Sequence, residues 1–405
     1  MTRDAVTDLP RTASTVIVGG GIVGAAAAHF LTDRGERDVL LLERDRLGSG
    51  TSGGGLGGIR HQFTNELDVR LSLLASAFWR EFDSFTGGSH AFEQRGYLFL
   101  AETAAGLASL REPLAMYERC GLPVRMLSRI EIAELVPGMR VDDLAGGRFC
   151  GLDGYGDPLD ALSGFAAAAV LEGARVVEGV EVTSLVRKGD RVTGVRTSAG
   201  EVSCERVLLA TGAWTAPLAA TASVDVPIWG YARSIMEAGP YPTLSRSPMV
   251  IELESGFHFR PKGALQRFAM PNLTVDGGIE KGPAAPPEAF AAPGPRPDVP
   301  ASLEPWVRAR AAWRHPAFAE VRITRSWSCF YEMTPDDHPV VGQVPDVEGL
   351  YLAAGFSGHG FMHAPATGQL ITEEMLDGRA STLDIDDLSL ERFRTGRRPF
   401  TATVL

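Results

Sequence analysis

Three glycines, Gly19, Gly21 and Gly24, stand between a β-branched run, Thr15 to Val18, and an apolar helical stretch that begins near Ile22. In this G-x-G-x-x-G order each glycine does something different. Gly19 permits a tight turn, Gly21 lets the backbone approach a pyrophosphate, and Gly24 lets the helix pack on the strand. Ala25 to Ala28 keep the helix slim. Its unpaired N-terminal amides and its dipole favour a negatively charged ligand. A second apolar run, Val39 to Leu42, ends in Glu43. An acid about 20 residues past the glycines sits where it accepts from ribose hydroxyls and disfavours a 2′-phosphate. The pattern predicts a βαβ unit holding a dinucleotide. The other glycine clusters, Gly53 to Gly58 and Gly355 to Gly360, lack the strand, helix, strand and acid that would make a second fingerprint, so one dinucleotide is expected, with electrons arriving from the substrate.

A chain of 405 residues, 44% of them apolar, has material for two or three folding units with a large core. The formal net charge of −11 argues against nucleic acid, whose phosphates need clustered Lys and Arg. Cys120, Cys150, Cys204 and Cys329 show no C-x-x-C spacing, so neither a disulfide framework nor a metal site is expected. No stretch approaches the roughly 18 apolar residues of a membrane span, and no apolar segment with a basic leader precedes Gly19; a cytoplasmic location follows as the expectation.

Further along, alternating strands broken at Lys188-Gly189-Asp190 and Ala199-Gly200 lead into a buried strand, Arg206 to Ala210, and then Thr211-Gly212. Before them, Asp157-Pro158 opens a helix that Gly173 closes. Short strands are predicted at Pro248 to Leu253 and Gly256 to Arg260, and the Pro- and Ala-rich stretch from Gly282 to Pro300 reads as a surface excursion. The block from Gly349 reads as strand, glycine turn and a helix opening near Pro365 and ending at Gly378.

Four segments, the opening fingerprint, VLLATGAW from Val207, MTPDDHPVVG from Met333 and GLYLAAGFSGHGFMHAPATG from Gly349, together resemble the D-amino-acid oxidase superfamily of FAD enzymes. They look most like the branch of monomeric sarcosine oxidase and the dimethylglycine-oxidising flavoproteins. The resemblance implies an α/β fold: a discontinuous Rossmann-like FAD domain from residues 1–90, 147–220 and 325–405, with an α+β substrate domain on an antiparallel sheet from 91–146 and 221–324. It also implies that FAD meets Gly19, Gly21, Gly24, Glu43, Arg44, Ser52, Val182, Thr211 and Gly212. The turn Gly355, Gly358, His359, Gly360 with Phe361 and Met362 would lie against the flavin ring, and Cys329 stands where that branch joins a cysteine sulfur to the flavin 8α-methyl.

In GIRHQFTNELDVRLSL the resemblance makes Arg60 the clamp for a substrate carboxylate, a role suited to the guanidinium fork. His61 beside it receives no separate role. Tyr331 falls in the substrate pocket. Two positions depart from the branch. A lysine that assists reaction with oxygen corresponds, aligned on Pro261, to Gln266, leaving His258 to supply positive charge if protonated. A carboxylate-binding lysine corresponds to Met362, which places the clamp largely on Arg60 or implies a bulkier, more apolar substrate lined by Trp229, Tyr231 and Phe259. The expected reaction is oxidation of an amino acid or of an N-methylated or other secondary amine bearing a carboxylate, by hydride transfer to flavin. Oxygen is the expected acceptor and hydrogen peroxide the product; an electron-transfer protein or quinone takes its place if His258 cannot act. The alternatives are an FAD-dependent 2-hydroxy acid dehydrogenase, needing a base from His258, His61 or His359, and a flavin-bearing subunit of a larger amine dehydrogenase. The expected state is a monomer or small homo-oligomer.

Overall fold

The computed structural model describes residues 9–86, 92–271, 298–320, 322–397 and 400. Its first sheet has eight strands. Thr12–Val18 lies in parallel between Val39–Glu43 and Gly200–Leu209, the latter parallel in turn to Leu350–Ala354. Arg175–Glu178 extends the parallel row beyond Val39–Glu43, while Val182–Lys188 and Arg191–Thr197 form an antiparallel meander on Gly200–Leu209. Residues buried on both faces explain the near-continuous apolar runs, since a parallel strand is covered by helices above and below.

One of those helices, Ile22–Asp33, begins at the predicted residue and buries all but its last position. Ala25 to Ala28 are fully buried, and their small side chains let Pro158–Leu171 and Gly360–Asp377 approach. Gly368 meets this helix where a Cβ would lie 2.9 Å from the Ala26 backbone. The helix Glu66–Thr86 covers the other side of Gly360–Asp377, and Trp79 Nε1 donates to the Met362 carbonyl at 3.0 Å.

The second sheet also has eight strands and is largely antiparallel, with Met249–Glu252 parallel to Tyr97–Ala101. Alternation gives it two faces. One face carries Met236, Val250, Phe259, Phe268 and Met270 against the helix Leu303–Arg314 and Phe318. The other presents Tyr97, Met249, Ile251, His258, Cys329 and Tyr331 to the first domain's glycine turns. A two-stranded ribbon, Gly58–Ile59 with Gly154–Tyr155, ties the two together.

Three expectations change. Gly146–Cys150 and Ile323–Met333, allotted by residue number mostly to the first unit, hydrogen-bond in the second sheet, against Tyr97–Ala101 and Trp229–Ala238. The C-terminal helix opens at Gly360, so Pro365 lies inside it, where its missing N–H leaves out the hydrogen bond to Phe361. Phe259 belongs to the core face of its strand and lines no pocket. The excursion expected at 282–300 falls almost wholly outside the described residues. Among the described residues no helix is long and apolar enough to cross a membrane.

A Cβ on Gly24 would lie 2.1 Å from the Gly19 carbonyl oxygen, inside the first turn of the fold. Gly24→Ala is therefore expected to lower stability by about 2 kcal/mol or more. Urea unfolding checks it, and a midpoint equal to the parent's would contradict it.

Candidate active site

A cavity of about 890 Å³ runs from the first glycine turn to the second sheet. Its size suits a dinucleotide together with a small second ligand. At one end it is lined by Gly19, Gly21, Glu43, Arg44, Val182, Thr211, Gly212 and Trp214, at the middle by Gly50 to Ser52, and at the other end by Arg60, Tyr97, Met249, Ile251, His258, Cys329, Tyr331 and the turn from Ser357 to Met362. Of the expected cofactor residues only Gly24 and Gly355 stand behind the wall. Gly24 is pressed on Gly19, and a Cβ on Gly355 would meet the Thr334 methyl at 2.6 Å.

The dinucleotide end has the features its sequence required. Gly19 takes φ +110 and leaves no room for a Cβ, which would sit 2.4 Å from the Ala210 carbonyl oxygen. Gly21 is different: a Cβ there would meet only Ser52 Oγ at 3.2 Å, so the missing side chain opens the backbone to the cavity. The helix Ile22–Asp33 has no side-chain cap from Gly21; Ser52 Oγ reaches across to accept the Ile22 amide at 2.9 Å. Glu43 accepts the Gly20 and Asp45 amides at 2.8 Å each. A carboxylate fixed in this way still has lone pairs for ribose hydroxyls. Thr51 Oγ1 on the same wall is buried without a hydrogen-bond partner. A helix N-terminus, an open Gly21, a fixed acid and an orphaned hydroxyl together fit FAD.

The opposite end is built around Arg60. It follows the short strand Gly58–Ile59 and is buried. Its Nη2 donates to His359 Nε2 at 3.0 Å, and its guanidinium lies 4.3 Å from the Phe63 ring centroid. Burial, with the Arg60 charge beside it, holds His359 well below the ordinary imidazole range. His359 is thus neutral, accepts through Nε2 and carries its proton on Nδ1. Among the described residues no carboxylate pairs with Arg60, so neutral groups orient it and leave its charge unneutralised. The next two residues anchor the strand: Asp153 Oδ1 accepts both the backbone N–H and Nδ1 of His61 at 2.7 Å, and Oδ2 accepts Gln62 Nε2 at 2.6 Å. Arg148 Nε donates to Gln62 Oε1 at 2.9 Å.

His258 faces the cavity, but burial, aided by Arg233 and Arg60, pushes it down to about 4. It is neutral near pH 7 and supplies no positive charge. Gln266 also fails as the counterpart of the oxygen-assisting lysine for a geometric reason. The tight hairpin between His258–Lys262 and Leu265–Met270 pairs it with Pro261, and its amide donates to the Leu244 carbonyl at 3.2 Å on the far side of the sheet. Arg267 and Ala269 occupy the near face. Tyr331 packs its ring on Gly358, where a Cβ would lie 2.7 Å away and φ is +93. Cys329 is buried on the wall against Gly54, a Cβ of which would come within 3.5 Å of the sulfur. Met362 also lines the wall.

Sequence reasoning passed over Tyr97, Phe63, Arg233 and Glu332. The last is a buried carboxyl lining the cavity that accepts the Gly355 amide at 3.0 Å. Burial, against the Gly355 and Phe356 amides, pushes it up to about 7. The signal for Tyr97 and Arg233 was strand alternation, which cannot be read as inward or outward until the sheet is assembled.

Residues 14–374 match the family profile described as DAO, FAD dependent oxidoreductase. The chain is 31% identical over 389 residues to the 4-methylaminobutanoate oxidase (formaldehyde-forming) of Paenarthrobacter nicotinovorans, covering 95% of this chain and 46% of that protein. It is 27% identical over 384 residues to the glycine oxidase of Geobacillus kaustophilus (strain HTA426), covering 93% and 96%. It thus spans under half the length of the first of these relatives. Among solved structures, L-proline dehydrogenase from P. horikoshii superposes with a TM-score of 0.87 at 29% identity, covering 96% of this chain and 99% of that one.

The raised Glu332 carboxyl keeps its proton in the folded chain where the unfolded chain, near its ordinary 4.5, has lost it. Its contribution to stability is therefore present at low pH, declines as pH rises from about 4.5 to about 7 and is level above that. Glu332→Gln removes this decline, so the variant's melting temperature should gain on the parent's between pH 5 and pH 8; a constant difference across that range would contradict it.

Proposed function

The chain belongs to the family of FAD dependent oxidoreductases, and from that premise we propose that it oxidises an amino acid, or an N-methylated or other secondary amine, that bears a carboxylate. The observation that carries this reading is Arg60: a buried guanidinium on the wall of the same cavity as Gly19 and Gly21, oriented by neutral partners. Its fork holds both oxygens of a carboxylate and so fixes the adjoining carbon and amine.

FAD, when bound, supplies a two-electron acceptor that takes a hydride from the carbon bearing the amine, leaving an iminium that water converts to a carbonyl compound and the free amine. The chain's own residues prepare this event. The N-terminus of Ile22–Asp33 and Glu43 would hold the dinucleotide end; the N-terminus of Gly360–Asp377, on the cavity wall, would face the flavin end. Tyr97, Met249, Ile251 and Tyr331 wall the substrate end and limit water there.

The amine reading is favoured over a 2-hydroxy acid because a neutral amine needs no protein base, whereas a hydroxyl proton does. His359 already uses its Nε2 to accept from Arg60, His61 Nδ1 is held by Asp153, and His258, pushed down to about 4, is a weak base. Dioxygen is the acceptor we propose, with hydrogen peroxide as product. Its reduction passes through an anionic species that a cationic cavity stabilises, and Arg60 and Arg233, rather than the neutral His258, supply that field. The far-facing Gln266 favours a second reading, in which an electron-transfer protein or quinone takes the electrons.

Purified with FAD, Arg60→Met is expected to keep its flavin and lose about 100-fold or more in kcat/KM on carboxylate-bearing amines. A rate near the parent's would remove the clamp. Peroxide formed in air in equal amount to the carbonyl product would support dioxygen as acceptor, and electrons reaching only an added dye would favour the second reading.

A further inference from the structure

We propose that the substrate carries a second acidic group at the end away from Arg60, and that Arg233 receives it; the inference rests on the carboxylate-bearing amine reading above. Such a substrate is an N-substituted amino dicarboxylic acid.

Of the buried arginines among the described residues, all but Arg60 donate to oxygen. Arg314 is held by Glu252 and Asp143, Arg392 by Asp336, and Arg267 by Glu237. Arg260 donates to the carbonyls of Leu56, Pro261 and Gly156, and Arg148 to Gln62 and the Leu110 carbonyl. These are structural cations, matched as a buried charge must be. Arg60 and the half-buried Arg233 stand apart. Neither pairs with a carboxylate among the described residues, and Arg233 Nη1 is buried without any hydrogen bond.

Arg233 reaches the substrate end by register. It stands opposite Cys329, as Tyr231 stands opposite Tyr331; Cys329 and Tyr331 line the cavity, and Arg233 and Tyr231 leave the same face of the sheet beside them. Its guanidinium lies 4.5 Å from the Tyr231 ring centroid and 5.5 Å from that of Tyr331. Aromatic faces orient a cation without neutralising it, as Phe63 does for Arg60. His258 and Tyr331 both lie within electrostatic reach of Arg233 and Arg60.

Two unneutralised cations, Arg60 on the wall of the chamber and Arg233 beside Tyr331, repel each other. One carboxylate offsets one of them; a diacid offsets both, which makes the second charge a source of selectivity rather than a cost.

The test uses the FAD-loaded protein and substrates that differ in charge at nearly constant shape: N-methylaspartate against N-methylasparagine, and N-methylglutamate against N-methylglutamine, each as both enantiomers. For at least one pair kcat/KM should favour the diacid by about 30-fold or more. In Arg233→Gln that ratio should fall toward one, and in Arg233→Lys it should be partly retained. Acid and amide turned over equally by the parent, or a ratio unchanged in Arg233→Gln, would overturn the proposal. Should no amine reduce the flavin, the functional reading fails separately, and binding decides the subsite: succinate should perturb the visible spectrum at lower concentration than succinamate in the parent, and equal affinities would overturn it.

Discussion

A guanidinium taken out of water without a counter-ion is among the more costly things a protein can bury, and the surroundings of Arg60 hold it in that condition. His359 accepts from it in the neutral state, Phe63 offers a ring face, and the Asp153 network stiffens the residues that follow without contributing a carboxylate to the guanidinium itself. The charge is oriented and left for something else to meet. Exchanging His359 for a carboxylate would fill the same space with the opposite consequence, since the clamp would be closed on its own protein.

That arrangement depends on backbone brought unusually close to backbone. Gly24 against Gly19, Gly54 against Cys329, and Gly358 beneath the Tyr331 ring are places where a single Cβ would push elements apart. The first contact sets the helix on the parallel sheet and aims its amides at the cavity. The other two let the second sheet close over the first domain's loops, so that Arg60 from one side and Tyr331 and His258 from the other share one chamber. Dinucleotide end and substrate end are therefore positioned by the same packing.

The N-terminal unit was legible because its signals are local: a β-branched run, glycines at fixed spacing, small residues along a helix and an acid closing the next strand. Arg60 was legible through its resemblance and its place after a glycine-rich stretch. The helix start at Gly360 was misread because proline usually marks a first turn, whereas here Trp79 and the packing on Ile22–Asp33 stabilise a turn that lies before it. Gln266 and Phe259 were misplaced, and Arg233 passed over, for one shared reason. Which side of a strand faces a ligand depends on hairpin register, and a shift of one residue exchanges the two faces. The depressed His258 is likewise a product of assembly, since burial and two distant arginines act on it only in the folded chain.

Arg60 keeps its charge free for an acid, and everything proposed for the substrate end rests on that. The most direct measurement is a visible-difference titration of the FAD-loaded protein with propionate and with propionamide, neither of which can be oxidised through an amine. Propionate should give a saturable spectral change that is lost in Arg60→Met, and the amide none of comparable affinity. Equal binding of the two, or propionate binding that survives Arg60→Met unchanged, would contradict it.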